Sequence, residues 1–247
     1  MKETRILMGM PITVEIVDKA STKSDLNSIF EYFDYIDQKF STYKKTSEIT
    51  QINNGKIKID TYSDDMKTVF NLSEKTKQET HGYFDIYRGG KVDPSGVVKG
   101  WAIGNAAAML QKKGFKNYYV DAGGDVQVSG RNAKGNIWTV GIRNPFNQDE
   151  IVKVIKLNNA AIATSGTYIR GQHVYNPKDS KPLVDIVSLT VVGPNIYDAD
   201  RFTTAAFAMG KNGINFIENL ASFEGYQIDK NGLATYTSGF EKYVLKQ

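Results

Sequence analysis

Cysteine is absent from the chain, which excludes disulfides, thiolate metal sites and cysteine nucleophiles together. Histidine is scarce. His81 and His173 are the only two, so a zinc site would have to lean on carboxylates. No apolar run reaches the roughly 18 residues needed to cross a bilayer. Nor is there a Lys/Arg run that would mark a nucleic-acid footprint: 31 basic residues stand against 27 acidic ones, interspersed, for a net charge of +4. Internal repeats, low-complexity tracts and linkers are also missing. No apolar signal segment precedes the first strand-like stretch, so the chain as given reads as soluble and cytoplasmic, as it would after removal of a leader. What remains is an ordinary globular balance, 40% hydrophobic and 23% charged over 247 residues, enough for one large domain or two fused lobes.

The apolar spacing sets the organisation. Residues 6–17 read as two strand pieces around Met8-Gly9-Met10-Pro11. An amphipathic helix follows, with Ser24 and Asp25 offering caps and Leu26, Ile29, Phe30, Phe33, Ile36 and Phe40 on one face. A second helix is expected over 63–77. A third runs from about residue 97 to 113, with Gly114 as its stop. Short strands then fall at 118–120, 125–128, 137–142, 151–157 and 161–163, punctuated by Gly, Asn and Asp. A long apolar strand at 186–192, helices over 198–210 and 214–220 and closing strand pieces complete the chain. Helices and strands mix without strict alternation, which makes the fold class α+β.

Five segments can carry chemistry. In a helix over 198–210, Asp200 and Thr204 stand one turn apart on one face, a carboxylate and a hydroxyl that suit a hard cation such as Mg²⁺. An Asp near a helix start also caps free N–H groups, and both readings stay open. Asp93-Pro94-Ser95-Gly96 turns into a helix whose first amides favour phosphate, with Lys99 one turn inside. On this segment alone a plain Pro-Gly turn with a solvated lysine is the preferred reading. Asp121-Ala122-Gly123-Gly124-Asp125 and Thr164-Ser165-Gly166-Thr167 each follow a strand and are either ligand-approach loops or turns. His173 shares a side with Tyr175 in an extended segment, where it is either a general base or a structural histidine.

Taken in order, these pieces resemble the ApbE family. Met8-Gly9-Met10 is similar to its opening Met-Gly-Thr. Ser41-Thr42-Tyr43-Lys44 is similar to its Ser-Thr-Tyr turn, and Gly82-Tyr83-Phe84-Asp85-Ile86 to its Gly-x-Phe-Asp-Ile piece. Runs 93–102, 121–126, 164–168 and 173–182 and the Ala199-Asp200…Thr204-Ala205…Gly210 helix have counterparts as well. In 173–182 the chain has Asn176, Asp179 and Ser180 where the family has Asp, Thr and Gly. The resemblance implies one α+β domain over residues 1–247, of two lobes with a flavin cleft between them. It implies Mg²⁺ held by Asp200, Thr204 and the Gly96 carbonyl. FAD would be lined by Met8, Tyr43, Tyr83, Phe84, Asp85, Asp93, Lys99 and Tyr175, with His173 as the base. The implied activity is transfer of FMN from FAD to a Ser/Thr hydroxyl of an acceptor flavoprotein, with release of AMP. FAD hydrolysis to FMN and AMP, or a flavin-binding module without catalysis, are the alternatives.

Overall fold

The computed structural model describes residues 1–167, 175–179 and 183–246. It opens with a hairpin, β1 (Lys2–Leu7) and β2 (Met10–Ile16), closed by a two-residue turn in which Met8 and Gly9 have φ of 52° and 72°. Two left-handed residues match the twist of a tight hairpin. Glycine adopts that conformation freely, whereas Met8 must be held there by its surroundings. The helices α1 (Lys23–Phe40), α2 (Glu48–Asn53), α3 (Asp64–Glu79) and α4 (Ser95–Lys112) follow, with the short strands β3 (Tyr87–Arg88) and β4 (Lys91–Val92) ahead of α4. Strands β5 (Tyr118–Ala122), β6 (Asp125–Ser129), β7 (Trp138–Asn144), β8 (Asn147–Leu157), β9 (Ala161–Gly166) and β10 (Ile186–Gly193) lead to α5 (Ile196–Ala208) and α6 (Gly213–Glu218). Strands β11 (Glu224–Asp229) and β12 (Ala234–Tyr236) close the chain.

Eight of these strands form one sheet in the order β1-β2-β5-β6-β9-β10-β11-β12, antiparallel at every junction. Because side chains alternate across a strand, the sheet builds two cores. Ile12, Val14, Val120, Ala163, Leu189 and Val191 face the helical layer, where they meet Phe30, Phe33, Ile103 and Phe207. Val126, Val128, Ile162 and Ile228 face the other way, onto Trp138, Ile142 and Ile155 of the separate β7–β8 ribbon. Each fully buried Val, Leu, Ile or Phe among them contributes about 1.5–3 kcal/mol. The α+β class is as the pattern implied, a single domain with a helical layer on one sheet face and a ribbon on the other.

Helix ends depart from the reading in instructive ways. Thr22, not Ser24 or Asp25, caps α1, in a reciprocal box with Asp25. The six-residue apolar face is buried as expected. The helix expected over 198–210 begins earlier, at Ile196, because Asn195 caps it through the Asp198 amide at 2.8 Å. Asp198 turns instead to Arg201 Nε at 2.7 Å. Asp200 therefore sits inside the helix, relieved of capping.

Helix α4 is apolar nearly all round and is packed by α1, α3, α5, β5 and β6. It meets α5 through glycines spaced four apart. A Cβ on Gly100 would lie 2.7 Å from Asp200 Cβ and 3.0 Å from the Ile196 carbonyl oxygen, and one on Gly96 would lie 2.9 Å from the Phe84 ring. At Gly104 the nearest atom would be Ile196 Cγ2, at an ordinary 3.7 Å. Gly100→Ala is therefore expected to cost about 1–3 kcal/mol through overpacking, although alanine is the better helix former. Gly104→Ala should be neutral or stabilising by up to about 1 kcal/mol. Denaturant titrations of the two variants check the contrast, and equal effects would refute the packing argument.

Candidate functional site

A cleft of about 780 Å³ opens at one end of the sheet, a size typical of small-molecule sites. The Met8–Gly9 turn, the end of α1, the segment after α3, the start of α4, the β5–β6 hairpin, the β7–β8 ribbon, the end of β9 and α5 all contribute to its wall. Eleven of the twelve residues singled out from the sequence line it: Met8, Tyr43, Tyr83, Phe84, Asp85, Asp93, Gly96, Lys99, Tyr175, Asp200 and Thr204. His173 lies outside the described residues.

The charged end is built where α4 meets α5. Asp200 is buried, and its Oδ2 accepts the Gly100 N–H at 2.7 Å. Lys99 Nζ stands 3.5 Å from Asp200 Oδ1 and forms a closer ion pair with Asp125 Oδ2. Asp125 is itself buried, and its Oδ1 accepts the Thr164 N–H at 2.9 Å. Lys99 is thus not the solvated lysine that the sequence also allowed. Two buried carboxylates share its ammonium, an excess of negative charge that a cation would offset. Burial pushes the Asp200 carboxyl up to about 7, Lys99 opposing and Asp125 adding to the rise.

This donor set fits a hard divalent cation. Asp200 and Thr204 supply a carboxylate and a hydroxyl on one face of α5, and Gly96 packs so close to Thr204 that a Cβ would come within 3.3 Å of its methyl. Among the described residues no three carboxylates or imidazoles form a complete metal cage. A set of few side chains leaves the remaining positions to backbone, water and ligand oxygens, the arrangement Mg²⁺ favours.

The start of α4 has Pro94 at its cap position and no side-chain cap bond. Asp93 Oδ1 takes the Ser95 amide at 3.0 Å, and the Val97 and Val98 amides both donate to the Pro94 carbonyl. Among the described residues this leaves the Gly96 amide for an anion at the helix start. Around the mouth stand aromatic and cationic side chains. Tyr43 is 95% exposed, so its ring has no packing role. Lys178 Nζ lies 4.0 Å from the Tyr83 ring centre, and the Arg88 guanidinium 3.8 Å from that of Tyr175. Phe84 reaches the wall from a core position, packed with Ile86, Val97 and Ala205. Asp85 is engaged, bonding the Tyr87 amide at 2.9 Å and pairing with Lys77 at 2.8 Å.

Sequence reasoning passed over four contributors. Asp125 was legible only as the end of a Gly-Gly turn. Gly123 and Gly124 have φ of 65° and 98°, and that tight hairpin swings Asp125 toward β9. Arg88, Arg143 and Gln148 also line the cleft. Arg143 and Gln148 arrive on the β7–β8 ribbon, whose excursion from the main sheet has no local sequence signal.

A carboxyl whose pKa is raised in the folded state binds its proton more tightly there than in the unfolded chain. Its contribution favours folding below the ordinary value near 4 and is lost as pH rises to about 7. Metal-free Asp200→Asn should therefore melt above the parent protein at pH 8, with the gap closing toward pH 5. Thermal melts across that range check this, and a gap independent of pH would refute it.

A sequence profile described as the ApbE family matches residues 8–90 and 87–226. An FAD:protein FMN transferase of Vibrio cholerae serotype O1 is 31% identical over 163 residues, 62% of this chain and 47% of that protein. The chain spans about half the length of the curated relatives it matches. The solved flavin transferase ApbE from Vibrio cholerae superposes with a TM-score of 0.85 at 22% identity, covering 98% of both chains. The apbe protein from Thermotoga maritima gives 0.88 at 19% identity, covering 100% of this chain and 99% of that one.

Proposed function

Since this chain belongs to the ApbE family, we propose that its cleft takes FAD together with Mg²⁺ and transfers the FMN half to a Ser or Thr hydroxyl of an acceptor protein, releasing AMP. The observation that carries this reading is the convergence of Asp200, Thr204, Gly96 and Lys99 at the charged end of one cleft whose mouth is aromatic. Relatives that bear the name FAD:protein FMN transferase support it.

In this reading the flavin ring lies toward Tyr43, Tyr83 and Tyr175, whose faces suit a flat conjugated ligand, and the diphosphate lies toward the start of α4. Asp200, Thr204 and the Gly96 carbonyl would hold Mg²⁺, which supplies neutralisation of charge building on the diphosphate. The protein's own part is positioning. Gly100 fixes the Asp200 carboxylate through its N–H, and Lys99 is held by Asp125 beside it. Met8 and Phe84 close the wall against water.

The acceptor oxygen bonds to the FMN-side phosphorus as that phosphorus parts from the oxygen shared with the adenylyl half. AMP leaves with that oxygen, and the hydroxyl proton passes to a base, for which His173 is the candidate. No covalent enzyme intermediate is needed, since positioning and charge neutralisation account for most catalysis of phosphoryl transfer.

Co-expression with candidate flavin-linked partners, followed by mass spectrometry, should reveal a partner heavier by one FMN on a Ser or Thr. The purified protein with FAD and Mg²⁺ should release AMP. Asp200→Asn should lower that turnover on the order of 100-fold, as losses of transition-state charge stabilisation do, while the variant stays folded. Full activity in Asp200→Asn would reject the metal assignment. AMP release with no labelled partner would mark the protein as a hydrolase instead.

A further inference from the structure

Beside the cleft lies a second, smaller hollow of about 260 Å³, walled by Tyr119, Asp121, Gly124 and Val126 on one side and by Thr139, Val140, Gly141, Arg143 and Ile151 of the ribbon on the other. It adjoins the cleft, and Asp121, Gly124, Val140, Gly141 and Arg143 border both. Its ribbon wall is a strand edge. Among the described residues β7 pairs with β8 alone.

The backbone groups left on that edge can be assigned. The Leu245 N–H donates to the Val154 carbonyl at 2.8 Å, and Ile155 bridges Val244, so Val154 turns its backbone away from β7. Neighbours along a strand alternate, so Ile155 turns its own N–H and C=O toward β7, where it stands opposite Val140. Trp138, Val140 and Ile142 therefore spend their backbone groups on β8, and Thr139 and Gly141 direct theirs outward. Among the described residues neither forms a backbone bond outside the ribbon. A strand edge of this kind is a template for a further strand.

The floor of the hollow is polar and fixed. The Tyr119 hydroxyl donates to Asp121 Oδ2 at 3.1 Å, and the Gly124 amide donates to Asp121 Oδ1 at 2.8 Å. Arg143 is exposed at the rim. Gly141 carries no side chain, and a Cβ there would strike Ile151 at 2.8 Å, so the strand is bare where it borders the cleft.

We propose that this edge is the docking strand for the acceptor: an extended segment of the acceptor polypeptide adds alongside β7, bonds the backbone of Thr139 and Gly141, and runs its hydroxyl-bearing residue into the cleft. The proposal rests on the phosphoryl-transfer reading above, which requires a hydroxyl on a polypeptide to reach the cleft. The wall shared by hollow and cleft sets the path, since a strand laid along Thr139 and Gly141 runs on toward residues that line the cleft. Main-chain pairing gives affinity without demanding one side-chain sequence, while alternate side chains meet the polar floor and Arg143.

Hydrogen exchange and labelling test it, with a set of unstructured eight-residue peptides centred on threonine as probes and FAD and Mg²⁺ present. The Thr139 and Gly141 amides should exchange fast in the protein alone and slow by at least tenfold when a peptide that becomes FMN-labelled is bound. Methylating one alternate set of that peptide's amides should suppress labelling, and methylating the other set should not. Thr139→Pro, which removes one outward donor, should raise the peptide KM about three- to tenfold, the worth of one backbone hydrogen bond, with AMP release in the absence of peptide unchanged. Thr139→Val, which keeps the N–H, should match the parent.

Labelling without protection of β7, or indifferent to both methylation patterns, would overturn the docking strand. So would AMP release from FAD with no peptide labelled while a co-expressed partner protein still gains FMN, and that result leaves the phosphoryl-transfer reading standing. Neither AMP nor label would remove that reading, and the docking strand with it. The methylated peptides and the exchange data decide the matter if Thr139→Pro does not fold.

Discussion

The bond from the Gly100 amide to the Asp200 carboxylate is the contact on which the arrangement turns. A carboxylate buried between two helices survives only if its lone pairs are met, and here one is met by backbone from the neighbouring helix at 2.7 Å. That bond demands that α4 and α5 approach to a distance no side chain at position 100 permits. The same approach sets Gly96 against Thr204 and leaves Lys99 beside Asp200. Helix packing and site chemistry are therefore one constraint. Loosening the packing by a methyl group would move the carboxylate, the hydroxyl and the ammonium together.

That constraint has a cost in stability. Asp125 and Asp200 are both buried and share Lys99, a cluster that would hold together better with one acid fewer or one cation more. Folds tolerate such local conflict at functional sites when surrounding packing exceeds it. Phe33, Phe207 and Ile103 are fully buried in the core adjoining α4 and α5, and the Arg201 guanidinium, buried between Glu79 and Asp198, ties α5 to the loop end of α3. The helices are anchored away from the cleft, so the acids can be held in a poor electrostatic environment within it.

Much of this was legible in the chain itself. The six-residue face of α1 and the one-turn spacing of Asp200 and Thr204 need only helical geometry, and both survive in three dimensions. The caps were less legible, because Thr22 and Ser24, or Asn195 and Asp198, are equally good candidates by residue type and only backbone conformation chooses between them. The pairing of Lys99 with two acids was not legible at all. Its partners come from α5 and from β6, and nothing in the local pattern shows that a turn through Gly123 and Gly124 carries Asp125 to it. The ribbon is the clearest case. Its two strands could be read, but their departure from the main sheet is decided by the burial of Trp138, Ile142 and Ile155 on the sheet's second face, a tertiary preference that no window of sequence contains.

The two sides of the cleft differ in kind, and the difference follows from what each is made of. Helix starts and buried acids present fixed charge, which discriminates sharply by ligand geometry and tolerates little variation. A bare strand edge presents repeating backbone groups, which any polypeptide can match and which side chains refine only at alternate positions. The reaction proposed for this cleft, which joins a nucleotide to a polypeptide, calls for both kinds of surface, set against each other across a single opening. The antiparallel sheet supplies them because its β5–β6 hairpin borders both: Asp125 at one end of that turn belongs to the charged helix junction, and Asp121 at the other belongs to the hollow beside the open strand.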